Sequence, residues 1–118
     1  MSLEIKSFDS PDETRPFADK GSAAAVSLAG GTALKGTFEP GWRWSEHVKP
    51  IAKTDSCQAQ HLLYCISGRM HVRMDDGTEQ EIGPGDLVAI APGHDAWTVG
   101  DEACVSVDWG GASNYSKA

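Results

Sequence analysis

Residues 61–93 read HLLYCISGRMHVRMDDGTEQEIGPGDLVAIAPG, and the punctuation of this stretch decides the fold. Residues 61–67 form an apolar run ended by Gly68. Met70, Val72 and Met74 then alternate with Arg69, His71 and Arg73, which predicts a strand with one buried face. Asp76-Gly77 predicts a tight turn, because glycine accepts a positive φ. A short strand at residues 80–82 follows, and Pro84-Gly85 fits the centre of a type II turn. Residues 87–91 predict another apolar strand, closed by Pro92-Gly93.

The same rhythm continues outward. Residues 34–39 alternate into the Pro40-Gly41 turn, and residues 42–48 alternate large and polar side chains, which predicts a strand. Residues 49–57 carry Pro50, Lys53, Thr54, Asp55 and Ser56 and predict a loop. Residues 97–99 and 103–109 predict the last strands. Upstream, residues 23–28 are ambiguous: alanine favours helix, whereas Gly30-Gly31 predicts a hairpin turn. Ser10 and Pro11 suit the cap and first position of a short helical turn within residues 10–20. Many short strands with Gly/Pro punctuation predict an all-β sandwich or barrel. The expected organisation is an N-terminal arm (residues 1–20), a barrel (21–110) and a flexible tail (111–118).

At 118 residues the chain fits a single domain. Its net charge of -7, from 10 basic against 17 acidic residues, repels phosphate backbones and argues against nucleic acid and anionic membrane as partners. No apolar run approaches the roughly 20 residues of a membrane span. The opening residues lack an apolar signal core, so a cytoplasmic location is expected. Cys57, Cys65 and Cys104 are too scattered for a CxxC site and too few for a disulfide framework. Cys65 and Cys104 are expected as buried small hydrophobes. Cys57 follows Asp55-Ser56 in the predicted loop, where a metal ligand or reactive thiol is the minor alternative.

The glycine skeleton resembles that of the cupin superfamily, in particular its small single-domain bacterial members. Gly41 is followed by five residues and His47, as in that family's first motif; Lys49 stands where a second histidine is usual. After a longer gap, His61, six residues and Gly68 stand where the motif has its glutamate and closing glycine. In the second motif Gly85 and Gly93 keep their places, Ala91 replaces a proline, and Ala96 stands where a histidine is usual, with His94 two residues earlier. The match runs over roughly residues 36–109. It implies a double-stranded β-helix, or jelly roll, with a conical interior cavity, and it also points to a homodimer. The fold hosts isomerases, dioxygenases, decarboxylases and non-catalytic modules, so the resemblance carries fold further than function.

In that family a divalent metal is held by three histidines and a glutamate. The resemblance therefore implies His47, His61 and His94 as candidate ligands for iron, manganese, nickel or zinc. The alternatives are a metal-free pocket lined by the same imidazoles, or imidazoles turned outward. Tyr64 or Glu46 would assist proton transfer. Trp42, Trp44 and Trp97 would form an aromatic wall for a small-molecule ligand, or else core or dimer interface. Lys49 would attract a ligand anion if it pointed inward, and is otherwise a solvated loop residue. His71 is expected at the surface or a dimer contact. Two functions stay open: a metal-dependent enzyme, or a non-catalytic small-ligand or regulatory module without metal.

Overall fold

The computed structural model describes residues 3–110. Nine strands are present among them: β1 (Glu13–Pro16), β2 (Gly21–Leu28), β3 (Gly31–Phe38), β4 (His61–Ser67), β5 (Arg69–Met74), β6 (Glu79–Ile82), β7 (Leu87–Ile90), β8 (His94–Val99) and β9 (Cys104–Asp108). Two single-turn helices, α1 (Trp44–His47) and α2 (Lys49–Ala52), interrupt the series. A six-stranded sheet has the order β1-β2-β3-β9-β4-β7, and a three-stranded sheet the order β6-β5-β8. Every pairing is antiparallel. The expected all-β jelly roll is therefore the fold. No helix among the described residues is long and apolar enough to cross a membrane.

Period-two alternation places the core. His61, Leu63 and Cys65 of β4 are buried, while Leu62, Tyr64 and Ile66 between them are exposed. Met70 and Val72 of β5, and His94, Ala96 and Thr98 of β8, are buried from the facing sheet. Cys104, Ser106 and Asp108 do the same on β9. Aromatic rings fill one part of the core: Phe38 meets Trp42 edge-on at 4.5 Å between centroids and stacks on Phe17 at 5.3 Å.

Three local expectations are corrected. Residues 42–48 are not a strand: Trp44–His47 is a helical turn, and Trp44 and Val48, four residues apart, are both buried. That i,i+4 pair is a helical period, which the shorter large/polar alternation conceals in a seven-residue window. Within the predicted loop, Lys49–Ala52 forms a second turn that tolerates Pro50 near its start. Within residues 10–20 the regular element is β1, an edge strand pairing Arg15 with Ala23 of β2. A weak propensity yields there to sheet pairing, and Pro16 is acceptable on an edge. The ambiguous alanine stretch is strand β2. Its hairpin turns at Ala29 and Gly30, both at positive φ, one residue earlier than expected. Residues 111–118, expected to be a flexible tail, lie outside the described residues.

Gly68 is where the chain leaves the large sheet for the small one. Its φ is +75°, and a Cβ there would lie 2.2 Å from the Ala103 carbonyl oxygen and 2.6 Å from Cys104 Cα. Gly85 has a similar φ of +89° in the Pro84-Gly85 turn but open space around it. Gly68→Ala is therefore expected to destabilise the fold by more than about 1 kcal/mol, and by more than Gly85→Ala, in urea unfolding. Equal losses for the two variants would contradict the steric account.

Candidate functional site: a buried Cys57, His61 and His94 cluster

Three strand ends meet on the inner surface. His61 opens β4, His94 opens β8 and Asp108 closes β9, and all three are buried. Cys57 arrives from the loop between α2 and β4. Backbone hydrogen bonds hold that loop to β8: Cys57 N–H donates to the His94 carbonyl at 2.7 Å, and Gly93 N–H donates to the Cys57 carbonyl at 2.7 Å. One donor atom each from Cys57, His61 and His94 all lie within 4.8 Å of one another.

Each imidazole is oriented by its second nitrogen. His61 Nδ1 donates to Asp108 Oδ2 in a very short contact. The other carboxylate oxygen of Asp108 accepts the N–H groups of Leu62 at 3.3 Å and Gly110 at 3.0 Å. His61 Nε2 thereby faces Cys57 Sγ at 3.6 Å. His94 Nδ1 donates to the Ala91 carbonyl at 3.0 Å, which fixes the tautomer and leaves Nε2 with its lone pair. The two rings meet edge-on, with centroids 5.1 Å apart.

This packing reshapes the acid–base chemistry of the empty cluster. Burial works to raise the Cys57 thiol, but hydrogen bonds from His61 and then His94 outweigh it and hold the thiol down at about 6. Burial works to lower His61, but the Asp108 hydrogen bond, and after it Cys57, push the imidazole up to about 9. Between those limits the pair is a thiolate beside an imidazolium. Taken singly, the raised His61 stabilises the fold below its ordinary 6.5 and loses that contribution as pH rises through about 9. The lowered Cys57 contributes above its ordinary 9.0 and loses that contribution as pH falls through about 6. Together they carry a single proton from about pH 6.5 to 9, on His61 when folded and on Cys57 when unfolded. The pair therefore contributes little slope to stability in that window, and the thiolate itself is the observable.

The cluster borders a small cavity of about 40 Å³ between the sheets. Trp42, Trp44, Phe38 and Met70 crowd it, and Ser106 is a further polar residue in its wall. Of the expected pocket residues, Trp42 and Trp44 line this cavity; Lys49 and Trp97 do not. Lys49 is the first residue of α2. Trp97 lies on the outer face of β8, stacked on His71 at 4.8 Å and beneath the Arg43 guanidinium at 4.4 Å. His71 also pairs with Glu79 at 2.8 Å. His47 is not brought into the cluster: the helical turn of α1 directs its Nδ1 to accept its own Arg43 N–H at 3.0 Å. Tyr64 is exposed on the outward positions of β4, and Glu46 is exposed on α1. Neither borders the cavity.

Sequence reasoning gave Cys57 only a minor role and passed over Asp108. Ser106 and Asp108 occupy alternate positions of the last predicted strand, so two polar residues share a face with Cys104, which was expected in the core; that was the legible signal. Cys65 and Cys104 are buried as expected. Their sulfurs lie 3.9 Å apart, and burial pushes the Cys104 thiol up to about 12.

The fold is that of the cupins. The chain superposes on an RmlC-like cupin from Shewanella frigidimarina with a TM-score of 0.59 and 15% identity, over 92% of each chain. Ectoine synthase from P. lautus gives a TM-score of 0.60 at 16% identity, over 92% of this chain and 78% of that one. A protein of unknown function from Rhizobium leguminosarum bv. viciae gives 0.61 at 18%, over 92% and 98%. At these identities the likeness is one of fold. No protein-family model matches the chain, and no curated protein matches it in sequence.

In protein treated with a chelator, thiolate absorbance near 240 nm is expected to appear with a midpoint near pH 6 and to vanish in Cys57→Ser. Asp108→Asn removes the partner of the His61 proton and is expected to move that midpoint upward. A Cys57 titrating at its ordinary value in the unsubstituted chain would contradict the coupling.

Proposed function

We propose that the chain is a metal-binding cupin that takes a small molecule in its interior cavity, with Cys57, His61 and His94 as the metal ligands. The observation that carries this reading is the burial of three N and S donors within 4.8 Å of one another. Two further features support it. With Zn–S at about 2.3 Å and Zn–N at about 2.0 Å, tetrahedral partners sit about 3.5 Å apart; the Cys57 Sγ to His61 Nε2 separation is 3.6 Å. Both imidazoles also have their other nitrogen committed, one to a carboxylate and one to a carbonyl, which is how ligating histidines are usually held.

The donor set narrows the ion. Thiolate and imidazole both suit zinc, iron and nickel suit the imidazoles, and manganese prefers oxygen ligands. Three protein ligands leave a coordination position open, the arrangement of catalytic rather than structural zinc sites. When bound, such an ion supplies Lewis acidity toward a ligand oxygen or water. The chain's own part is to keep His61 in one tautomer through Asp108, to keep His94 in one tautomer through Ala91, and to exclude bulk water with Trp42, Trp44 and Phe38. A metal-free binding module is the second reading. It is favoured by Ala96, which lines the cavity without a donor atom where the family resemblance expects a ligand.

Elemental analysis of protein purified without a histidine tag separates the two. About one equivalent of zinc, iron or nickel per chain is expected, lost in Cys57→Ser and in His94→Ala. Asp108→Asn is expected to weaken metal affinity about 10- to 100-fold while leaving the ligands in place. A chain that takes up none of these ions on incubation would leave only the metal-free module.

We also propose that the chain forms a homodimer through the outer face of β4 and β7. Leu62, Tyr64, Ile66 and Leu87 are exposed there, and the register sets Tyr64 directly opposite Leu87. β7 ends its sheet, so this apolar face runs to an unpaired edge among the described residues. A second copy of the same face suits such a patch, because a two-fold contact covers both patches at once. Light scattering is expected to give twice the chain mass, falling to a single mass for Leu87→Glu. A monomeric unsubstituted chain would exclude the dimer.

A further inference from the structure

The indole N–H groups of Trp42 and Trp44 are fully buried, and neither has an acceptor among the described residues. Each side chain is only 2% exposed. Buried indole N–H groups ordinarily find a partner, because an unmade hydrogen bond away from water is costly. Two such donors two residues apart, both in the wall of one cavity, are a built feature that the metal cluster does not use. The Ser106 hydroxyl stands in the same wall, and apart from Ser106, His61, His94 and Asp108 the lining is apolar or glycine.

The size of the space limits what can meet them. A water needs roughly 10–15 Å³ of such volume, so a cavity of about 40 Å³ takes about three water-sized atoms. Charge limits it further. Asp108 already places a carboxylate in the wall, engaged by His61 and by the N–H groups of Leu62 and Gly110. A second carboxylate in that space would meet a like charge at close range in a dry environment. A neutral oxygen acceptor would not. A carbonyl oxygen, with two lone pairs, can accept two N–H groups together.

We propose that the cavity binds a small neutral carbonyl compound, an aldehyde, ketone or primary amide of about three to five heavy atoms, with its oxygen accepted by the Trp42 and Trp44 indole N–H groups. This names the ligand class for the cavity read above as the binding site, and it rests on that reading of the cavity. The indoles select for an acceptor and the apolar walls limit the carbon skeleton. Asp108 discriminates against acids of the same shape.

The test is a titration of the full chain, ¹⁵N-labelled, with acetone and acetamide as probes and acetate as the charged control, following the indole N–H resonances. Trp42→Phe and Trp44→Phe assign the two buried signals and remove one donor each while keeping an aromatic ring. Saturable displacement of both buried signals by acetone or acetamide is expected, with those of Trp97 and Trp109 unmoved. Acetate is expected to bind more weakly than acetamide. Each Trp→Phe variant is expected to weaken acetamide binding about three- to tenfold. Buried signals that stay still with both neutral probes, or acetate binding as tightly as acetamide, would overturn the proposal; the unsubstituted chain alone gives this result if a variant fails to fold. Running the titration on zinc-loaded and on chelator-treated protein separates the two readings. Zinc uptake with silent indoles overturns this inference alone, and responding indoles in a chain that takes up no metal overturn the metal reading alone.

Discussion

The buried contact between His61 and Asp108 is the interaction on which the interior depends. It joins the first residue of β4 to the last residue of β9, the strand that separates β4 from β3 in the large sheet. Both side chains are buried, so neither has water as an alternative partner. Removing one member of such a pair strands the other and costs about 3–5 kcal/mol, more than most single contacts in a domain of this size. The same contact fixes which nitrogen of His61 faces Cys57. Fold stability and site chemistry therefore share one bond.

Strand periodicity explains why such a bond is available. In β4, β8 and β9 every second residue points inward, so His61, His94 and Asp108 reach the interior simply by standing at inward positions near strand ends. A one-residue slip in any of these strands would send its polar residue to the surface and an outward residue to the core. The exposed row of Leu62, Tyr64 and Ile66 shows how close the two faces of β4 are in composition. Apolar content alone would not distinguish them, and the register with β7 and β9 does.

Most of the fold was legible because glycine and proline mark it. Gly68, Gly77, Gly85 and Gly93 all take positive φ at strand boundaries, and each lies beside a break predicted from sequence. The errors fall where punctuation is weak. The segment from Trp42 to Val48 has no glycine or proline, and its two tryptophans are buried in either periodicity, so strand and helical turn were not separable. That misreading carried His47 into the ligand set, because a strand would have turned it inward. The site was half legible. His61 and His94 fall in strands with clear alternation, whereas Cys57 comes from a loop, and nothing in a loop's composition says where its side chain will point. Asp108 was overlooked because the family pattern supplied a full list of ligands without it.

The loop that carries Cys57 is fastened to β8 by main-chain hydrogen bonds and contributes no rung to either sheet beyond that bridge. Its thiol is thus mounted on a detachable part, while the two imidazoles are mounted on the scaffold. Exchanging the residue at position 57 for a harder or softer donor would retune the affinity of the cluster for different ions without rebuilding the barrel. A protein assembled this way separates architecture from specificity, and its chemistry can drift over generations at the cost of a single loop.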